Sequence, residues 1–272
     1  MNEAIRLRQI CLVTDRMEEV LDVLIATFGW QVCYGKGDLT RYGVPQRDPP
    51  DFQKKFFEGL GLKSAILPVG DTFLELVAPV TKNNAARRFL DRRGPGGYMV
   101  ITEVGDTEPF DARRTQKGWR LAGEVDYPTY HELQNDPRDI GGAILSFSQQ
   151  REGKPFDGGW FPAGPDKLEK TVPGYGGIIE ATVSAPDPAE IAGRWSRLIG
   201  RAVAIEGESH AIALDRGRIR FAPGEGKPRL SAIRILAEDI SGALARAQAA
   251  GLEVASHNGI RVENVTIMLD AA

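Results

Sequence analysis

The 272-residue chain is poor in the residues that most often build metal and redox centres: it has three histidines and two cysteines. Cys11 and Cys33 stand in apolar, strand-like surroundings, which fits reduced core thiols of a cytoplasmic protein better than a disulfide or a redox pair. No apolar run reaches the ~18 residues that a membrane span requires. The opening stretch MNEAIRLRQICLVTD mixes charges into its apolar residues and lacks a small-residue cleavage site, which argues against a signal peptide. A strong charge of either sign is missing as well. At a net −3 there is no reason to expect nucleic acid or an anionic membrane as partner. Also absent are GxSxG, a paired CxxC, and a GxGxxG opening a helix after a strand. GEGKPRL (Gly224–Leu230) lacks P-loop spacing and reads as a turn. HELQN (His131–Asn135) has Asn135 where a zinc-binding helix needs a second histidine, so it reads as a loop or strand edge.

What the chain does have is repetition. Its length suggests two domains or one domain of repeats, and its 42% hydrophobic content is that of an ordinary globular protein. An alternating strand, an Asp, an amphipathic helix and a Gly recur four times, with the Asp at 15, 106, 187 and 239 and the Gly at 29, 118, 200 and 251. In the first copy Met17, Val20, Leu21, Leu24 and Phe28 follow helical spacing. An Asp before a helix can accept from its free N–H groups, and a Gly after it takes the left-handed cap. Further short strands follow each helix, so each unit reads βαβββ. A long loop from Lys36 to Gly61 interrupts the first. The Gly- and Pro-rich stretch from Gln149 to Gly176 reads as a linker. The expectation is an N-terminal domain over 1–150, a linker over 151–176 and a C-terminal domain over 177–272.

Four βαβββ units in two pairs, with GGYMVITEV and DPRDIGGAILSF as the most specific stretches, resemble the vicinal-oxygen-chelate superfamily. That superfamily includes glyoxalase I, methylmalonyl-CoA epimerase, extradiol dioxygenases and bleomycin-resistance proteins. The resemblance implies an α+β fold in which each pair of units forms one curved mixed sheet, helices outside, cupped around a small-molecule site. It also implies metal ligands on the first and last strands of each unit, the first lying seven residues before the helix-opening Asp. Those first-strand positions fall on Arg8, Met99, Glu180 and Ala232, and the last-strand positions on Glu75, Ser146, Ile219 and Met268. DPRDI carries Asp136 where the superfamily usually has a histidine.

Such a set suits a metal poorly. Arginine has no free lone pair, methionine is a soft thioether and serine a weak neutral ligand, whereas a catalytic zinc or iron site wants about three ligands from His, Asp, Glu or Cys. No metal or other cofactor is therefore expected. If Arg8 faces Glu75, a guanidinium–carboxylate pair would stand in the metal's place and anchor an anionic or carbonyl oxygen; otherwise Arg8 is structural. His131 and Trp160 are candidate ligand contacts, Trp160 and Phe161 together as a lid, and His210 could meet Glu180. With three apolar or uncharged ligand positions of four, the C-terminal half reads as mainly structural.

The functional expectation is a protein that binds a small organic molecule in the N-terminal cup. As an enzyme it would be a metal-independent lyase or isomerase, with Glu75 as acid/base and Arg8 stabilising an enolate-like oxygen. The alternatives are a non-catalytic resistance or sensor protein, a pseudoenzyme with filled cups, and a metal-dependent dioxygenase or glyoxalase with a nonstandard site. A homodimer is compatible with all of these.

Overall fold

The computed structural model describes residues 3–46, 61–255 and 257–272. Most of the loop expected between Lys36 and Gly61 lies outside the described residues. Two eight-stranded mixed sheets make up the α+β fold. The first contains β1 (Ile5–Val13), β2 (Tyr34–Lys36), β3 (Leu62–Val69), β4 (Thr72–Pro79), β5 (Gly96–Val104), β6 (Leu121–Tyr127), β7 (Tyr130–Asn135) and β8 (Ile144–Gln150). Their order is β2-β3-β4-β1-β5-β8-β7-β6. The second contains β9 (Tyr175–Ala185), β10 (Ala204–Glu206), β11 (Ser209–Ala213), β12 (Arg218–Pro223), β13 (Arg229–Ala237), β14 (Val254–Ala255), β15 (Gly259–Val262) and β16 (Val265–Ala271). It follows the same permutation, β10-β11-β12-β9-β13-β16-β15-β14.

The repeat explains this order. In each unit the first strand pairs parallel with the last, as β1 with β4 and β5 with β8, a connection that needs a crossover helix. Two units then join antiparallel through their first strands, β1 with β5 and β9 with β13. The punctuation works as expected at half of the ends. Asp187 and Asp239 accept from the N–H of Glu190 and Gly242, and Gly29 and Gly200 close their helices in the left-handed conformation. The first two units differ. Their helices, Met17–Phe28 and Glu108–Gln116, have Arg16 and Thr107 at the N-cap without a side-chain cap, so Asp15 and Asp106 each stand one residue too early.

Each strand divides its residues between two faces. On β1, Ile5, Leu7, Ile10 and Leu12 join a core that includes the helices and runs through both halves. The helices of the two halves touch: Arg246 Nε donates to the Thr27 carbonyl at 2.8 Å and Arg113 Nε to that of Leu198 at 2.7 Å. The other face of the first sheet carries Cys11, Val13, Ile66, Phe73, Met99 and Ile101. The segment expected to be a plain linker lies against this face as a roof. Trp160 and Ala163 are buried in it, with short helical turns at Phe161–Ala163 and Pro165–Lys167.

Candidate functional site

Between the first sheet and this roof lies a cavity of about 990 Å³. Its floor carries Gln9 and Cys11 from β1, Glu75 from β4, Met99 and Ile101 from β5, and Glu132 from β7, while Lys36 of β2 lies on one side. The walls and roof supply six aromatic rings: Tyr34, Tyr98, Tyr127, Tyr130, Trp160 and Phe161. Tyr130 stacks on Phe161 with ring centroids 5.1 Å apart and meets Trp160 edge-on at 6.1 Å. Six rings beside two carboxylates and an amine suit a ligand with an apolar, planar body and a few polar atoms.

The polar groups of the floor hold one another. Gln9 Nε2 donates to Glu75 Oε2 at 2.8 Å, and the Trp160 indole donates to Gln9 Oε1 at 2.7 Å. The Ser146 hydroxyl donates to Glu132 Oε1 at 2.6 Å. Glu75 is partly accessible because it faces the cavity, yet it lies deep in the fold. Loss of surrounding water pushes its carboxyl up to about 7, against the pull of the Lys36 charge. Burial also raises Glu132, although the Ser146 bond opposes the rise. The same cause acts in reverse on Lys36, lowered to about 8 while Glu75 and Glu132 partly restore it. Burial and the neighbouring Glu75 push the Cys11 thiol well up, so it is a poor nucleophile.

The resemblance seen in the sequence implies a metal here, and the residues do not fit one. Gln9 has its carbonyl committed to an indole and its amide to Glu75, and the Ser146 hydroxyl is committed to Glu132. Met99 is a thioether. Among the described residues, no three His, Cys, Asp or Glu side chains converge in a way that could hold an ion.

The structure brings Glu75, Met99 and Trp160 together around the cavity, with Ser146 at one remove beneath Glu132. It corrects the expectation for Arg8, which does not meet Glu75. A bulge at Arg8 shifts the β1–β5 register from Leu7–Thr102 to Gln9–Ile101, so Gln9 takes the position over the cavity. Arg8 instead lies against Glu103 at 3.2 Å and donates to the carbonyls of Asp71, Gly158 and Gly159. Burial and neighbouring Arg6 lower its guanidinium to about 10. His131 is also misplaced. It alternates with Tyr130 and Glu132, turns away from the cavity, and contacts Thr107 Oγ1 at 2.7 Å and Glu124 Oε1 at 3.0 Å. The sequence reading missed Gln9, Glu132 and Lys36. The stretch read as a loop or strand edge is strand β7, whose Tyr130, Glu132 and Gln134 line the cavity.

In the second sheet the face equivalent to the cavity floor is tied up in ion pairs. Glu180 is buried and lies 2.5 Å from Arg218 and 3.6 Å from Arg234, while Glu206 binds Arg218 and Arg220. Ile219 is not on this face: it sits in the helix-side core between Arg218 and Arg220. His210 pairs in register with Phe221 of that same core, opposite in direction to Glu180, so the two do not meet. Ala232 and Met268 keep the expected face, flanking Arg234.

The paired sheets, their permutation and the cup beneath the roof define the two-domain vicinal-oxygen-chelate fold. The chain superposes over 98% of its length on all of a hypothetical protein from Staphylococcus aureus, with a TM-score of 0.64 at 10% identity. Over 93% of its length it matches 76% of a mutant 4-hydroxymandelate synthase from Streptomyces coelicolor, with a TM-score of 0.63 at 12% identity. A methylmalonyl-CoA epimerase from Streptomyces coelicolor aligns over 55% of the chain and 96% of its own, with a TM-score of 0.43 at 16% identity. No family model matches the sequence, and no curated protein matches it in sequence. The first two likenesses establish the fold alone; what the site does must be argued from the site.

Proposed function

We propose that the N-terminal cavity binds a small organic molecule with a carbonyl group and acts on it as a metal-independent isomerase or lyase. One observation carries the reading. Two carboxyls, Glu75 and Glu132, and the Lys36 amine face one aromatic-walled cavity, and burial moves Glu75 up to about 7 and Lys36 down to about 8. A carboxyl that is half-ionised near neutrality can take a proton from carbon and return it. Glu75 is the base in this reading. The Lys36 ammonium, not Arg8, stabilises the oxygen that gains charge as the C–H bond breaks, and Glu132 is the second proton carrier. The proton leaves the carbon next to the carbonyl for Glu75, and its electron pair passes to the carbonyl oxygen. Reprotonation at another position gives an isomer; loss of a leaving group from the neighbouring carbon gives a lyase product.

Native mass spectrometry of freshly purified protein tests binding, through a co-purified small molecule. A panel of carbonyl compounds in D₂O tests the chemistry, read by NMR as exchange of the acidic C–H for deuterium. Exchange should fall by roughly 10²–10⁴-fold in Glu75→Gln. The aromatic walls also favour a second reading, a non-catalytic binding protein. Tight binding with no exchange that depends on Glu75 would select it.

A further inference from the structure

We propose that Gln9 is a positioning residue for Glu75 and that Trp160, from the segment joining the two sheets, locks Gln9 in its working orientation. The geometry leaves the amide one orientation. An indole N–H only donates, so the group 2.7 Å from Trp160 Nε1 must be the Gln9 carbonyl oxygen. The Gln9 amide nitrogen then faces Glu75 Oε2 at 2.8 Å and donates to it. A flipped amide would set donor against donor at Trp160 and oxygen against carboxylate at Glu75. Water cannot relieve the clash at the indole, since Gln9 and Trp160 are each about 1% exposed.

Trp160 is itself pinned. Its ring stacks on Phe73 with centroids 6.4 Å apart, and the Arg8 guanidinium lies over it at 5.4 Å. The same guanidinium holds the carbonyls of Gly158 and Gly159, the two residues before Trp160, at 3.1 and 3.2 Å. Arg8 thus fastens the roof, the roof places the indole, the indole orients Gln9, and Gln9 presents its donor to Glu75. This deepens the reading of the cavity as the working site and takes its functional meaning from it. Its test needs no ligand, so the two ideas fail separately.

The test is ¹³C NMR of glutamate side-chain carboxyls against pH, with Glu75 assigned by the loss of its signal in Glu75→Gln. Trp160→Phe keeps the ring and removes the N–H. It should raise the Glu75 midpoint by roughly 0.5–1 unit, the size expected when a carboxylate loses one hydrogen bond. Gln9→Met should raise it at least as far, and adding Trp160→Phe to Gln9→Met should change nothing more. The other ionisable groups that bear on Glu75 (Lys36, Glu132, Cys11, Tyr98 and Tyr130) are left in place by these substitutions. In the unaltered protein the Trp160 indole N–H resonance should shift with the same midpoint as Glu75. An unmoved Glu75 midpoint in Trp160→Phe, or a full second shift in the double variant, would overturn the proposal. So would an indole resonance that stays flat through the Glu75 titration, a readout that does not depend on any Trp160 or Gln9 variant folding.

Discussion

Arg8 Nε lies 3.2 Å from Glu103 Oε2, and both side chains are almost wholly out of water. The same oxygen is 2.7 Å from Arg6 Nη2, so one carboxylate of β5 serves two guanidiniums of β1. The second Glu103 oxygen accepts from the Phe156 N–H at 3.2 Å, which ties the roof segment to the sheet. A charge cluster of this kind is structural first. Its loss should therefore be felt in stability.

Glu103→Gln is the direct test. It removes the buried counter-charge from two buried cations and leaves Arg6 the half-exposed Asp71 at 3.1 Å, a loss that costs about 3–5 kcal/mol when a buried pair is broken from one side. Urea unfolding should show this as a lower midpoint with little change in slope. A loss under about 1 kcal/mol would mean that water reaches the cluster, and that Arg6 and Arg8 behave as surface charges.

The fold was legible because the hydrophobic period and the Asp/Gly punctuation repeat four times, and each repeat can bury its apolar face only by pairing. The site was half legible. Counting seven residues back from Asp15 lands on Arg8, but the β1–β5 register shifts at Arg8, so Gln9 faces the cavity. Nothing in a single sequence marks a bulge at Arg8, between Leu7 and Gln9. Glu132 was hidden for another reason: YHELQN carries polar side chains on both faces, so it lacks the apolar alternation by which strands are read. Lys36 ends a strand of only three residues beside a long loop, where register cannot be counted.

The second sheet makes a contrasting prediction. On the face equivalent to the cavity floor, Glu180 is held by Arg218 and Arg234. Glu180→Gln leaves Arg218 and Arg234 without their buried partner. With both arginines partly in water, the loss should be smaller than at Glu103, roughly 1–3 kcal/mol. Ligand-induced chemical-shift changes should fall on Gln9, Glu75 and Glu132 and spare Glu180 and His210. A cluster of shifts around Glu180 would put the working site in the other cup.

The donor chemistry of the cavity predicts its metal content. With Gln9 engaged on both sides and Ser146 bound to Glu132, protein grown in metal-supplemented medium should carry well under one equivalent of zinc, iron, manganese or nickel. Elemental analysis decides it. A stoichiometric metal whose removal by chelator lowers thermal stability would show that these hydrogen bonds give way to coordination.

The displaced titrations of the cavity give a pH signature with a definite sign. Glu75 moves from the ordinary 4.5 to about 7, so between those values the folded protein keeps a proton that the unfolded chain has released. Stability must then fall as pH rises through that window, at up to about 1.4 kcal/mol per unit. Glu132 is shifted the same way and adds to the fall. Lys36 moves from 10.5 to about 8, so above pH 8 the unfolded chain holds the extra proton and stability recovers towards 10.5. The contribution of these groups is therefore lowest between about 7 and 8. Glu75→Gln should flatten the fall on the acid side. It should also start the alkaline recovery at a lower pH, because Lys36 loses one of the charges that keep it protonated. Urea midpoints measured across both windows check this. A wild-type curve that rises between pH 4.5 and 7, or one that Glu75→Gln leaves unchanged, would mean that Glu75 is solvated and ionised, and no base poised near neutrality faces this cavity.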